Sequence, residues 1–144
     1  MTVEDKTAKP SRSDKALQLI VHAFNVAGSE VSITLTTGGT LLSGMLIPPK
    51  KYIAGMGAAL REGFLKLHAD TAAADAAAKD FMDALESVVD TTSSATENAG
   101  PGALPEYIHL MNIAVRREDG QLLTINNTYW RGRIASVDGF HLGK

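Results

Sequence analysis

Between two stretches of strand-like texture the chain carries an Ala-rich block, Lys50 to Val89. In it Leu60, Phe64, Leu67, Thr71, Ala74, Ala78, Phe81, Leu85 and Val88 recur by steps of four and three. That is the seven-residue spacing of a packed helical seam, and it excludes an all-β fold. Thr71 and two alanines thin the middle of the seam, and Asp70-Thr71 has the chemistry of a helix cap. One long rod and a helical hairpin both satisfy the pattern. In either form the seam packs on the rest of the chain or on a second copy.

The flanks have other periods. From Ser13 to about Ala27 the apolar residues Leu17, Ile20, Val21 and Phe24 recur at helical spacing. Ser13 stands where a cap belongs and Gly28 where a helix stops. Val31, Ile33 and Leu35 then alternate with Ser32, Thr34 and Thr36, the two-residue period of a half-buried strand. Thr37-Gly38-Gly39-Thr40 reads as a hairpin turn, and Leu41 to Ile47 as the returning strand. Pro48-Pro49 ends the pairing because neither residue can donate a ladder hydrogen bond. Ser43-Gly44 inside that strand reads as small residues for close packing.

Beyond the Ala-rich block, residues 91–105 contain Thr91-Thr92-Ser93-Ser94 and Gly100-Pro101-Gly102, a flexible loop by composition. Strand texture returns at Tyr107 to Val115, followed by a turn at Glu118-Asp119-Gly120-Gln121. A weaker strand from Leu122 is interrupted at Asn126-Asn127, and Tyr129 to Ile134 and Val137 to Leu142 complete the sheet. The polar residues 1–12 are expected to be a flexible N-terminus ahead of a single α+β domain over 13–144, with 50–90 as a helical insertion.

Charge is unevenly spread. Across 144 residues 14 basic and 16 acidic side chains leave a formal net charge of −2. From Arg61 to Glu97, however, eight acidic residues face three basic ones, and from Arg116 onward five basic residues face three acidic ones. With 44% hydrophobic and 21% charged residues the chain has the composition of a globular protein. It has neither an apolar run long enough to span a bilayer nor a signal-peptide pattern, so a cytoplasmic location without membrane insertion is expected.

Chemistry is sparse. The absence of cysteine removes disulfides, thiolate metal ligands and thiol nucleophiles. His22, His68, His109 and His141 lack the spacing that brings two onto one metal. No serine lies in a G-x-S-x-G elbow. Gly55-Met56-Gly57 resembles the start of a phosphate-binding turn, but Leu60 stands where the third glycine belongs. Neither catalytic residues nor a cofactor nor a small-molecule substrate is expected. The most distinctive stretch is Tyr129-Trp130-Arg131-Gly132-Arg133-Ile134. It reads either as a barrel strand, with Trp130 and Ile134 inward and an arginine pair outward, or as a basic, aromatic strand suited to stacking bases and holding phosphate.

Together the strands resemble a small, strongly bent antiparallel Sm-like β-barrel with an N-terminal helix, the Ala-rich block being inserted between strands 2 and 3. The likeness implies an alternative function as an oligomeric RNA-binding protein using Trp130, Arg131 and Arg133. Pro48-Pro49 and the insertion replace that family's Asp-bearing turn, which leaves nucleic acid a poor candidate partner.

Three further blocks are similar to the gas vesicle accessory protein GvpU family. The first contains Ile33, Leu35, Thr36, Gly39, Ser43, Gly44, Ile47, Lys50 and Tyr52, and the second Ile108-His109-Leu110 with Asn112. The third runs from Trp130 to Ala135 and through Val137-Asp138-Gly139-Phe140 to Leu142-Gly143-Lys144. This resemblance implies a non-enzymatic, cytoplasmic, gas vesicle-associated protein whose partners are shell or other gas vesicle proteins. It implies assembly or clustering by multivalent contacts, including homo-oligomers. Trp130, Arg131, Arg133, Asp138, Phe140, Tyr52, His109 and Asn112 become candidate interaction residues. The family can continue in a polar tail beyond the position of Lys144, so the contacts here are expected on the helical insertion, on 90–105 or on an exposed sheet edge.

Overall fold

The computed structural model describes residues 13–67, 70–98 and 104–143, of which 90–98 by backbone alone. The expected N-terminal segment 1–12 lies outside them. Helix α1 spans Lys15–Ala27. Its cap is Asp14, not Ser13: the Asp14 carboxylate accepts from the N–H groups of Ala16 and Leu17 at 2.8 and 3.3 Å. Aspartate can serve two of the four unpaired N–H groups at a helix start. Gly28, at φ 69°, receives the chain in the left-handed region and donates to the Phe24 carbonyl.

Strands β1 (Val31–Thr37) and β2 (Thr40–Leu46) form the expected hairpin. Gly38 and Gly39 both take positive φ, as the tight turn between right-twisted strands requires. Helix α2 (Pro49–Leu67) begins on the second proline, whose fixed φ and missing N–H suit the first helical position. Helix α3 (Thr71–Asn98) returns beside it, capped by the Asp70 carboxylate on Ala72 N–H at 3.0 Å. The insertion is thus a helical hairpin. The helix extends to Asn98, overlapping the stretch expected as a 91–105 loop, and 99–103 lie outside the described residues.

Strands β3 (Tyr107–Arg116), β4 (Leu122–Arg133) and β5 (Gly139–Leu142) complete one antiparallel sheet in the order β4-β3-β2-β1-β5. A short 3-10 turn, Ile134–Ser136, carries the chain from β4 to β5. The α+β architecture and the bent antiparallel sheet stand, but the sheet does not close into the expected Sm-like barrel. β4 and β5 are opposite edges, and β5 is too short to pair with anything beyond four residues of β1. The sheet is nevertheless far from flat. Pairing places Trp130, Leu110, Leu46 and Val31 in one row, and Thr36 opposite Gly139. On a flat sheet Arg133 and Gly139 would be about 30 Å apart. The chain between them can reach only about 21 Å. The sheet therefore curls to bring its edges within reach.

Alternation assigns the two faces. Ile33, Leu35, Leu42, Leu46, Ile108 and Leu110 share one face and form a buried cluster with Leu17 and Val21 of α1 and with Ile134. Each such side chain contributes roughly 1.5–3 kcal/mol on removal from water. Met45, Met111 and Tyr129 lie on the other face and pack with Ile47, Tyr52, Ile53 and Val89 beneath the helical hairpin. Two glycines make that second contact possible: a Cβ on Gly55 would overlap the Tyr129 ring, and one on Gly57 would overlap Met82. The Gly55-Met56-Gly57 stretch is accordingly mid-helix packing, not a phosphate turn. On α3 the packed residues are Ala74, Ala78, Met82, Leu85 and Val89, while Phe81 and Val88 of the anticipated seam are exposed. The packed stripe follows the natural 3.6-residue period, which drifts away from a strict heptad within a few turns.

Candidate interaction surface

Four of the side chains on the hairpin-covered face meet at one end of the sheet. His109 and Arg131 are cross-strand partners on β3 and β4, and Tyr107, two residues before His109, shares their face. Tyr52 reaches them from the first turn of α2, its ring centroid 4.7 Å from that of His109. Arg131 lies over the Tyr107 ring at 3.7 Å and donates from Nε to His109 Nε2 at 3.2 Å. His109 is 4% exposed. Burial, with the Arg131 charge as a second cause, lowers its pKa from 6.5 to about 3. The imidazole is therefore neutral, with Nε2 as acceptor and its proton on Nδ1. Such a cluster fixes the end of β4 against α2 and gives the Arg131 Nε–H an acceptor.

The remaining candidates separate from it. Trp130 is on the opposite face, packed on the α1 cluster and folded back over Gly132, whose Cβ position its ring fills. The pair read as two outward arginines is unequal: Arg131 is half-buried and engaged, and Arg133 is exposed. A stacking platform flanked by two solvent cations is therefore not assembled. Asp138 accepts from Gly38 N–H at 3.0 Å while its own N–H donates to Thr36, tying the β1–β2 turn to the start of β5. Phe140 pairs with Leu35 and packs on the same cluster as Trp130.

Asn112 is at φ 53° and Asn127 at φ 57°, and the Asn112 carboxamide oxygen accepts from Asn127 N–H at 2.9 Å. Asparagine tolerates the left-handed region better than most side chains. The two residues build the bulge at which the β3–β4 register shifts. Tyr107 was not singled out from the sequence, although its two-residue offset from His109 places it on the same face.

The accessible features lie elsewhere. On α3 Asp80, Asp83 and Glu86 are exposed, Asp83 in an ion pair with Lys79 at 3.3 Å. Asp75 pairs across the hairpin with Arg61 of α2, and Lys51 pairs with Glu30. Lys50, Ile53, Ala54, Met82 and Glu86 line a shallow groove between α2 and α3. Leu122, Leu123 and Ile125 are exposed on edge strand β4. Among the described residues no helix is long and apolar enough to cross a membrane.

No curated protein and no solved structure matches the chain. A protein family does, over residues 14–144: it is described as gas vesicle protein GvpU-like. The match takes in α1, the whole curled sheet and the inserted helical hairpin, far more than the three blocks that suggested the likeness. This chain belongs to the GvpU-like family of gas vesicle proteins.

Proposed function

We propose that this protein is a non-enzymatic gas vesicle accessory protein that associates with gas vesicles or their shell proteins and promotes their assembly or clustering by multivalent contacts. The observation that carries the reading is the family match over residues 14–144. The character of the surface supports it. The eight residues nominated from the sequence are largely occupied in holding turns, bulges and core together. What faces solvent is an acidic helical hairpin on one side and an apolar strand edge on another. Many weak contacts, each partly electrostatic, suit such a surface, and the location proposed is the cytoplasm at the vesicle.

The test is co-sedimentation of the full chain with purified gas vesicles, read together with vesicle dispersion by light scattering. The protein should travel with the vesicles and shift them toward larger clusters, with binding reduced as salt is raised beyond the screening range. A chain that stays in solution and leaves dispersion unchanged refutes the reading.

A further inference from the structure

The two edges of the sheet are not alike. β5 offers only Gly139–Leu142, and the chain turns at Gly143 with φ 91°. β4 offers a longer edge, on which residues 122–127 are all exposed and none is charged. Leu122 is 57%, Leu123 55% and Ile125 39% exposed. Among the described residues no strand pairs with the outer side of β4. Natural sheets usually guard such an edge with charge, proline or brevity, because its free N–H and C=O groups accept any extended strand. Here none of those guards is present before Asn126-Asn127.

We propose that the segment Leu122–Asn126 of β4 pairs antiparallel with the same segment of a second copy, Thr124 facing Thr124 across a two-fold axis. The occupant is a second copy because the pattern is self-complementary. Paired residues in an antiparallel ladder project to the same face, so a two-fold pairing of identical strands must join positions whose numbers sum to an even value. Centring on Thr124 sets Leu123 against Ile125 twice and Leu122 against Asn126 twice.

Leu123 and Ile125 sit opposite Val115 and Ile113 of β3, so the four new apolar partners extend the sheet face that α1 covers elsewhere. Centring on Ile125 would instead oppose Leu123 to Asn127, which is in the left-handed region and out of the strand path. Centring on Leu123 would oppose Ile125 to Gln121 in the turn. No like charges meet in the chosen register. The bulge at Asn127 ends the pairing, and the two-fold contact uses the same segment of both copies, so growth through it closes at two. A ladder this short buries less than a permanent interface needs, so the dimer is concentration-dependent.

The absence of cysteine makes the register directly testable on the purified chain without vesicles, independently of the function proposed above. Under mild oxidation the Thr124→Cys variant should form a covalent dimer at least about tenfold faster than a His141→Cys control on β5, because only the former places two Cβ atoms within disulfide range. Leu122→Cys and Asn126→Cys should each remain monomeric alone and cross-link when mixed. Light scattering should show the unmodified chain rising from protomer toward dimer mass with concentration, and the Leu123→Lys, Ile125→Lys double variant remaining at protomer mass with an unchanged circular dichroism spectrum.

A single protomer mass at every concentration, with Thr124→Cys no faster than His141→Cys, overturns the proposal. Preferential cross-linking through Leu123→Cys or Ile125→Cys overturns the register. Binding of a shell protein by the edge, in a chain that does not dimerise, replaces the second copy with a different strand.

Discussion

Replacing His109 by glutamine should flatten the acid limb of this protein's stability curve. In the folded chain burial, and then the neighbouring Arg131, hold the imidazole pKa at about 3, against 6.5 for the unreacted group. Between those values the unfolded chain binds a proton that the folded chain refuses. The stabilisation is therefore complete above pH 6.5 and is lost as pH falls toward 3, at about 1.4 kcal/mol per pH unit. Between about pH 7 and pH 5 the loss attributable to this one group is about 2 kcal/mol.

Glutamine supplies a non-titrating acceptor for the Arg131 Nε that now donates to His109 at 3.2 Å. The His109→Gln variant should thus keep the contact while losing the proton linkage. Urea unfolding at both pH values, for both proteins, isolates the effect, since the carboxylates titrate equally in each and any shift in baseline stability cancels. A pH-dependent loss that is the same in both, within about 0.5 kcal/mol, would refute the reasoning, because it would mean that His109 protonates in the folded state as freely as in the unfolded one.

Two glycines of α2 should respond to the same substitution with opposite sign. Gly63→Ala, where a Cβ meets nothing within 4 Å, should raise stability by about 0.5–1 kcal/mol through helix propensity. Gly55→Ala, which drives a methyl into the Tyr129 ring, should lower it by about 1–3 kcal/mol; thermal unfolding of both variants decides. Asn112→Ala removes the acceptor for Asn127 N–H and places an alanine at φ 53°, so denaturant unfolding should show a loss of about 1–2 kcal/mol, of which Asn112→Gly should recover the backbone part. Asp14→Ala strips two N–H groups of α1 of their acceptor and should lower the denaturation midpoint by the equivalent of about 1 kcal/mol.

Local signals in this sequence were read correctly wherever a local cause sufficed. The Val31–Leu35 alternation, the Gly38-Gly39 turn and the stop at Gly28 each follow from backbone preferences of the residues concerned. Asn126-Asn127, expected to interrupt the strand, only bulges a continuous β4, because Asn112 across the ladder holds Asn127 N–H. The misses arise where the deciding partner is remote. Whether the insertion was a rod or a hairpin turned on Asp70, whose capping strength is a local matter, but the heptad phase through Phe81 and Val88 failed because α3 packs on α2 by the straight-helix period. Gly55 and Gly57, inside the Ala-rich helical block, resemble the start of a phosphate-binding turn until Tyr129 and Met82 are brought against them. Arg131 looked like a free cation because its two partners, Tyr107 and His109, lie on the neighbouring strand. Barrel closure depends on how far a curled sheet travels before its edges meet, which no residue pattern encodes.

The blocks that carry the family likeness are, in the folded chain, mostly structural. Trp130 closes over Gly132, Asp138 locks the β1–β2 turn, Phe140 fills the core and Asn112 shapes the bulge. Each has a sufficient reason to be the residue it is without any partner. Residues needed for folding are poor places to look for a contact that must form and break. The exposed apolar run of β4 and the acidic outer surface of α3 have no comparable folding role, since neither contributes to either buried cluster. They also differ in kind: one offers backbone pairing to a like strand, the other charge to a basic partner. On the function and the strand pairing proposed above, gathering vesicles takes two contacts, one to a second copy and one to the target. Substitutions at Leu123 and Ile125 should therefore abolish clustering while leaving vesicle binding intact. Substitutions at Asp80 and Glu86 should weaken binding while leaving self-association unchanged.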